Sequence, residues 1–454
     1  MGPHFQLVIF LLAIFSHEPQ AIAQYVPPFT SKVAQVTKHI DAATPLYSIQ
    51  MMTSWVNAHF LHANFLIDID APFTWSDCTV DWKSLYTNTN CPTCTGPVSC
   101  QEYQCTDIRT SYSYEGPSCI PVTNSSTLPG WGDCTCPVNI VNPVNGKCGQ
   151  ALVNYDSFTL NASDGRNPFP DFYINNPNAA CAPSSMFESF PANVSGVMAF
   201  STSRYAFPSY IYNPFGNILA ICLPSSLSTP GVMFFGIGPY YLLPNSDVDV
   251  RSLLSYTPLL KHPDSFGYFI GVKSILVNRR SIDVTNSTTK LSTIEPYTIL
   301  RTDIYKQMVR MFSVATMGVH RARPVAPFGL CLRNRRHLQV PDIVLGLEDG
   351  KKWRISSSNS MKQVTKDVAC LAFVDGGATS EHGIVIGTFQ MEDNFLLFDL
   401  DNSSLGFSSS LLSNKTSCGN FNFTSHFAVI FLFCKMSTTR NIGISGDINS
   451  GDGY

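Results

Sequence analysis

The residues best placed to do chemistry lie in Asn64-Phe-Leu-Ile-Asp68-Ile-Asp70-Ala-Pro-Phe-Thr-Trp75, where an apolar run ends in a carboxylate. Two carboxylates brought together at such a point share one proton, one acting as base on a water and the other as acid on a carbonyl oxygen, the chemistry of peptide hydrolysis. A lone carboxylate has no partner for that exchange. The candidate partners of Asp68 are Asp70 and Asp283, and Asp283 falls in Ser281-Ile-Asp-Val-Thr285, which reads as a hairpin strand after Asn278-Arg279-Arg280. No Gly-x-Ser-x-Gly elbow, phosphate loop or His-Glu-x-x-His occurs, so serine-hydrolase, nucleotide and zinc-peptidase readings lose their usual carriers.

The cysteines and sequons define the environment in which this chemistry would run. Nine of the 15 cysteines cluster (Cys78, Cys91, Cys94, Cys100, Cys105, Cys119, Cys134, Cys136 and Cys148), and Cys181, Cys222, Cys331, Cys370, Cys418 and Cys434 are spread along the chain. Cys91-Pro-Thr-Cys94 has no second pair of metal spacing, so the cysteines read as disulfides, with no metal or cofactor expected. Leaving Cys434 in the tail as a free thiol, the other 14 can form seven disulfides. Asn124, Asn161, Asn193, Asn286, Asn402, Asn414 and Asn422 each open an Asn-x-Ser/Thr sequon, expected on exposed loops. The apolar run Leu7 to Phe15, followed by Ala21-Ile22-Ala23, reads as a cleaved secretory signal over 1–23 and is too short to span a bilayer. These features point to a secreted, extracellular glycoprotein.

The elements that must position Asp68 are mostly strands. Asn64 to Ile69, Gly231 to Gly238, Gly267 to Val277, Ile384 to Gly387 and Asn394 to Leu400 are short, β-branched or aromatic, and bounded by turn residues. One helix is expected over Thr302 to Val314, with Ile304, Met308, Met311 and Phe312 on one face and Thr302 or Asp303 as cap. The chain divides into a first lobe over 24–245, carrying a Cys-rich insert of disulfide-held loops over 78–154, a second lobe over 246–425, and an extension over 426–454 expected to be disordered. Charged residues make up 13% of the 454 and the net charge is −3, which offers no electrostatic footprint for nucleic acid.

With these segments in order, the chain resembles the catalytically defective pepsin-like proteins of plants: xylanase inhibitors, xyloglucan-endoglucanase inhibitor proteins, extracellular dermal glycoprotein and basic 7S globulins. The resemblance runs from about Tyr25 to Ser425. It rests on Asp68 to Cys78, Gly231-Val-Met-Phe-Phe-Gly-Ile-Gly-Pro-Tyr240, Leu291 to Tyr305, Cys370-Leu-Ala-Phe-Val-Asp-Gly-Gly377, Ile384-Val-Ile-Gly-Thr-Phe-Gln-Met-Glu-Asp-Asn394 and Cys418-Gly-Asn-Phe-Asn-Phe-Thr-Ser425. It implies a mostly β, bilobal aspartic-protease fold with two β-barrel-like lobes and a few short helices. Active pepsin-like enzymes carry Asp-Thr/Ser-Gly in each lobe, and here Asp68 is followed by Ile69 and Asp70 instead. Aligning the second lobe on Thr293 and Pro296 puts Ser287 at the second Asp position, which would leave Asp68 as the remnant of the pair.

The resemblance further implies a monomer that inserts basic loops of its second lobe into the acidic cleft of a microbial glycoside hydrolase, a xylanase or xyloglucanase. The corresponding residues are Lys415, in the loop before Cys418, and Arg335 and Arg336, after Cys331. The alternatives are an aspartic endopeptidase using Asp68 with Asp70 or Asp283, and a structural or signalling glycoprotein of the cell wall that binds an unidentified protein or peptide ligand.

Overall fold

The computed structural model describes residues 29–54, 60–77, 97–119, 121–122, 134–211, 216–245, 247–333 and 339–423. The expected signal segment, Cys78, Cys91, Cys94, Asn124, Arg335, Arg336, Cys434 and the 426–454 extension lie outside these residues.

The strand Phe60–Asp68 shows how the apolar run is used. Side chains alternate along a strand, so Phe65 and Ile67 enter the main core while Leu66 enters a second cluster with Trp75 and Val197. Burial on both faces is why the run is continuously apolar rather than alternating. The strand pairs antiparallel with Leu46–Ser54 and parallel with Val194–Ala199, in register from Phe65 with Gly196 to Asp68 with Ala199.

The second half repeats this arrangement. Thr289–Leu291 pairs parallel with Ile384–Ile386, matching Leu291 with Ile386. Each half holds a second parallel pair as well, Thr74–Asp77 with Pro168–Ala182 and Thr298–Leu300 with Phe373–Asp375. A continuous run of antiparallel pairings joins the halves: Ser31–His39 with Gly231–Gly236, then Ile218–Cys222, Phe395–Asp399, Ser404–Phe407 and Ser255–His262. The Cys222–Cys418 disulfide, closing 196 residues of sequence, lies on this shared sheet within a cluster that includes Phe234, Tyr240 and Phe395. This pair links a cysteine of the first lobe to one of the second.

Other expectations are sharpened. The Asn278-Arg279 turn has positive φ at both residues (44° and 67°) and joins Val272–Val277 to Arg280–Asp283 as a tight hairpin. The single strand expected over Gly267 to Val277 is two strands, Ser265–Ile270 and Val272–Val277, which pair with different partners on either side of Gly271. The helix runs Thr302–Ala315 and buries Ile304, Met308 and Phe312, but its cap is Arg301. Thr302 is diverted because its hydroxyl donates to Asp375 at 2.6 Å, and Asp303 instead pairs with Arg301 at 2.7 Å.

The insert is more ordered than loops alone. It holds a helix, Tyr103–Ser111, a strand, Pro137–Val141, and the disulfides Cys100–Cys134, Cys105–Cys136 and Cys119–Cys148. Cys331–Cys370 closes a further loop in the second half, and Cys181 is also disulfide-bonded. No helix among the described residues is long and apolar enough to cross a membrane.

Candidate functional site

Asp68 ends its strand at the seam between the halves and is only 6% exposed. Its Oδ1 accepts the backbone N–H of Asp70 at 2.8 Å and of Ala71 at 3.2 Å. Burial, and after it the charge of Asp70, pushes the carboxyl up to about 6. The two N–H donors and Lys290 work against that rise.

Ser292 reproduces this arrangement in the second half. It follows the strand Thr289–Leu291, and its Oγ accepts the backbone N–H of Ile294 at 3.2 Å and of Glu295 at 3.1 Å. Its own N–H donates to Ile386 O at 2.9 Å, while in the first half Phe200 N–H donates to Asp68 O at 2.7 Å, each bond tying the loop to the parallel neighbour strand. Asp68-Ile69-Asp70 and Ser292-Thr293-Ile294 are thus internal counterparts, with a hydroxyl standing where the first half has a carboxylate.

The sequence alignment placed Ser287 at that position, and the geometry moves it. Ser287 lies in the turn after Arg280–Asp283, with its N–H on Val284 O at 2.9 Å and its Oγ accepting from Arg301 at 3.4 Å. Thr293, the landmark of that alignment, is itself the middle residue of the second triplet.

Thr293 also crosses the seam. Its Oγ1 accepts the N–H of Ile69 at 3.3 Å and donates to the carbonyl of Ile67 at 2.6 Å, bracketing Asp68. The counterpart residue, Ile69, is fully buried in the main core and has no hydroxyl to return the contact.

Asp70 occupies a position where its backbone φ is not positive, and its side chain turns to the other half. Oδ2 pairs with the Lys290 ammonium and Oδ1 accepts from Ser265 Oγ at 2.7 Å. A Cβ at Gly267 would stand 2.6 Å from Asp70 Oδ1, so a side chain there would displace the Asp70 carboxylate. Asp70 is therefore committed to Lys290 and Ser265. Asp283 lies on an exposed strand end and accepts from Thr285 at 2.6 Å. Among the described residues, no second carboxylate hydrogen-bonds to Asp68. Tyr114, from the insert, completes the surroundings: its hydroxyl is pushed well above the usual phenol range by burial and by the charges of Asp68 and Asp70. A pocket of about 660 Å³ borders Tyr114, lined also by Arg109, Ser113, Glu115 and Asn139.

The remaining predicted residues fall elsewhere. Lys415 is exposed, in left-handed conformation (φ 57°) after the short turn Leu411–Asn414, and its ammonium has no acidic or hydroxyl partner among the described residues. Asn193, Asn286, Asn402 and Asn414 are exposed. Asn161 departs from the expected loop: it is half-buried inside the strand Cys148–Ser163, opposite Val33, and the Ser163 of its sequon is fully buried. Asn422 is also half-buried, with its amide 3.2 Å from Asn167 Oδ1. Sequence reasoning did not single out Lys290, Ser265, Ser292 or Tyr114. Only the hydroxyl at Ser292, preceding Thr293, gave a readable signal.

Two lobes joined through a shared sheet, each presenting a triplet loop at the seam, define the pepsin-like aspartic-protease fold, here with an acid in one triplet only. The chain belongs to the xylanase-inhibitor family of that fold: the xylanase inhibitor N-terminal model matches residues 56–237 and the xylanase inhibitor C-terminal model residues 267–409. It is 32% identical over 452 residues to the probable aspartic proteinase GIP2 of Nicotiana benthamiana, covering 93% of this chain and 98% of that protein. It is 35% identical over 398 residues to gamma conglutin 1 of Prunus dulcis, covering 84% and 88%. The crystal structure of edgp superposes with a TM-score of 0.74 at 32% identity, covering 88% of this chain and 99% of that one.

Proposed function

We propose that the protein is a secreted, proteolytically inactive glycoprotein that binds and inhibits a cell-wall glycoside hydrolase of the xylanase or xyloglucanase class. The observation that carries the reading is Ser292 opposite Asp68. A serine hydroxyl does not ionise near neutral pH and cannot share a proton with a carboxylate, so the acid/base exchange needed to hydrolyse an amide has no second member. The scaffold around the seam is nonetheless kept intact by Thr293 and the shared sheet. A fold retained without its chemistry is suited to recognition, and the family models that match both halves carry the description of xylanase inhibitor.

Lys415 is the contact we assign to the target's acidic cleft, as an exposed cation three residues before Cys418 with no acidic or hydroxyl partner among the described residues. Arg335 and Arg336 are assigned a second contact on the sequence pattern alone. The disulfides support an oxidising, extracellular location. We place the lobe boundary near residue 245, between the matched stretches that end at 237 and begin at 267.

The test is residual activity of a panel of microbial xylanases and xyloglucanases titrated with the purified glycoprotein. Saturable inhibition of at least one of them, weakened tenfold or more by Lys415→Glu, supports the reading. No inhibition across the panel rejects it. The peptidase reading, which the name of the Nicotiana benthamiana relative raises, is tested separately by acid proteolysis.

A further inference from the structure

Two imidazoles and a carboxylate from separate segments converge in the second half, next to the seam. His262 ends the strand Ser255–His262 and stacks on Phe269, with ring centroids 4.9 Å apart and planes 20° apart. His382, 9% exposed, meets His262 edge-on at 5.6 Å and Phe269 at 5.3 Å. Glu381 is exposed beside it, and one ligand atom from each of the three lies within 4.8 Å of the others.

The surroundings hold these groups in place. His382 Nδ1 lies 3.1 Å from Thr288 Oγ1, which orients the ring and leaves Nε2 as its free donor atom. The segment around it is pinned by Ser380 Oγ donating to His382 O at 2.9 Å and by Arg301 N–H donating to Gly383 O at 3.0 Å. Nδ1 of His262 is covered from solvent and has no hydrogen-bond partner among the described residues. A buried imidazole nitrogen without a partner costs stability, which makes its retention at this spot informative.

We propose that His262, His382 and Glu381 form a binding site for a divalent transition-metal ion of the zinc class, with a fourth position open to solvent. Two imidazoles with one carboxylate are a nitrogen-rich set that suits zinc over calcium or magnesium, which take all-oxygen ligands. Tetrahedral coordination at about 2.0–2.1 Å puts ligand atoms roughly 3.4 Å apart, so atoms within 4.8 Å of one another close by at most about 1.4 Å. Rotation of the exposed Glu381 side chain, with small ring movements, supplies that closure. Thr288 becomes the outer partner that fixes the His382 ring. The bound ion ties the end of the hairpin Ser255–Ile270 to the segment that enters Ile384–Ile386, one of the two strands beneath Ser292. Sequence spacing could not announce the site, because His262 and His382 are far apart in the chain.

The test uses the full secreted protein with disulfides intact, stripped of metal by chelator, and titrated with Zn²⁺ by calorimetry and with Co²⁺ by absorption spectroscopy. The expected result is one ion per chain, the intense visible bands of low-symmetry four-coordinate Co²⁺, and a rise of a few degrees in the unfolding midpoint with excess Zn²⁺. Thr288→Val should weaken binding about tenfold. His262→Ala with His382→Ala should abolish the Co²⁺ bands and the stoichiometric Zn²⁺ uptake. Glu381→Gln changes only an exposed side chain and should weaken binding by tenfold or more without affecting folding, so a folding failure of the histidine variant does not decide the matter. No saturable binding by the unmodified protein, or binding unaltered by Glu381→Gln and by the double histidine variant, overturns the proposal.

Discussion

Thr293 grips the loop of Asp68 from the opposite half, and Ile69 does not grip back. The threonine hydroxyl accepts from Ile69 N–H and donates to Ile67 O, while the position that would mirror it is filled by an isoleucine buried in the core. At this pair of positions the contact is one-sided, with hydrogen bonds from Thr293 and apolar packing from Ile69.

Replacing Thr293 by Val keeps the shape and removes both bonds, leaving a buried N–H and a buried carbonyl unpaired. The expected cost is about 1–3 kcal/mol of stability. Thr293→Ser should retain most of it, because the hydroxyl remains. Denaturant unfolding of the two variants checks this, and equal losses would show that the methyl contact, not the grip, matters.

Asp68 makes the protein's stability depend on pH. Its folded value of about 6 lies above the ordinary carboxyl value near 3.9, so the folded state holds its proton more tightly than the unfolded chain. The resulting stabilisation is full below pH ~4 and is lost as pH rises through about 6. Asp68→Asn should therefore be more stable than the natural chain at pH 7, by up to roughly 3 kcal/mol, and about equal to it at pH 4. Unfolding midpoints measured from pH 3.5 to 7.5 test the sign, and a difference that does not vary with pH would contradict it.

Lys290 pairs with Asp70 and holds the Asp68 carboxyl down against burial. Lys290→Met should shift the pH at which the Asp68 contribution disappears to above 6, read as the difference between Lys290→Met and the Lys290→Met, Asp68→Asn double variant. An unmoved midpoint would mean that Lys290 has no electrostatic hold on Asp68.

Lys38 of the first half and Glu392 of the second form a buried ion pair at 2.8 Å, and Tyr47 donates to the same Glu392 oxygen at 2.7 Å. Lys38→Met strands the carboxylate and should cost about 3–5 kcal/mol. Adding Glu392→Gln neutralises the stranded group while keeping an acceptor for Tyr47, so the double variant should recover part of the loss by thermal unfolding.

What the sequence disclosed follows from how local each signal is. The Asp68 strand was legible because two-sided burial writes a continuous apolar run that ends in an acid. The Thr302–Ala315 helix was legible because one buried face writes a 3.6-residue repeat. Ser292 was missed by five positions, since short strands of the second half such as Thr289–Leu291 carry too little pattern to fix an alignment. The helix cap was missed because Thr302 spends its hydroxyl on Asp375, a contact made only in the folded chain. Lys290 with Asp70 is a tertiary contact between two polar residues that no periodicity marks.

The proposed loss of peptide hydrolysis at the Asp68 and Ser292 seam is most directly tested by incubating the purified protein at high concentration with denatured casein at pH 3 to 5, with and without pepstatin. Cleavage no faster than in the Asp68→Asn variant is the predicted result. Pepstatin-sensitive cleavage that Asp68→Asn abolishes would contradict it.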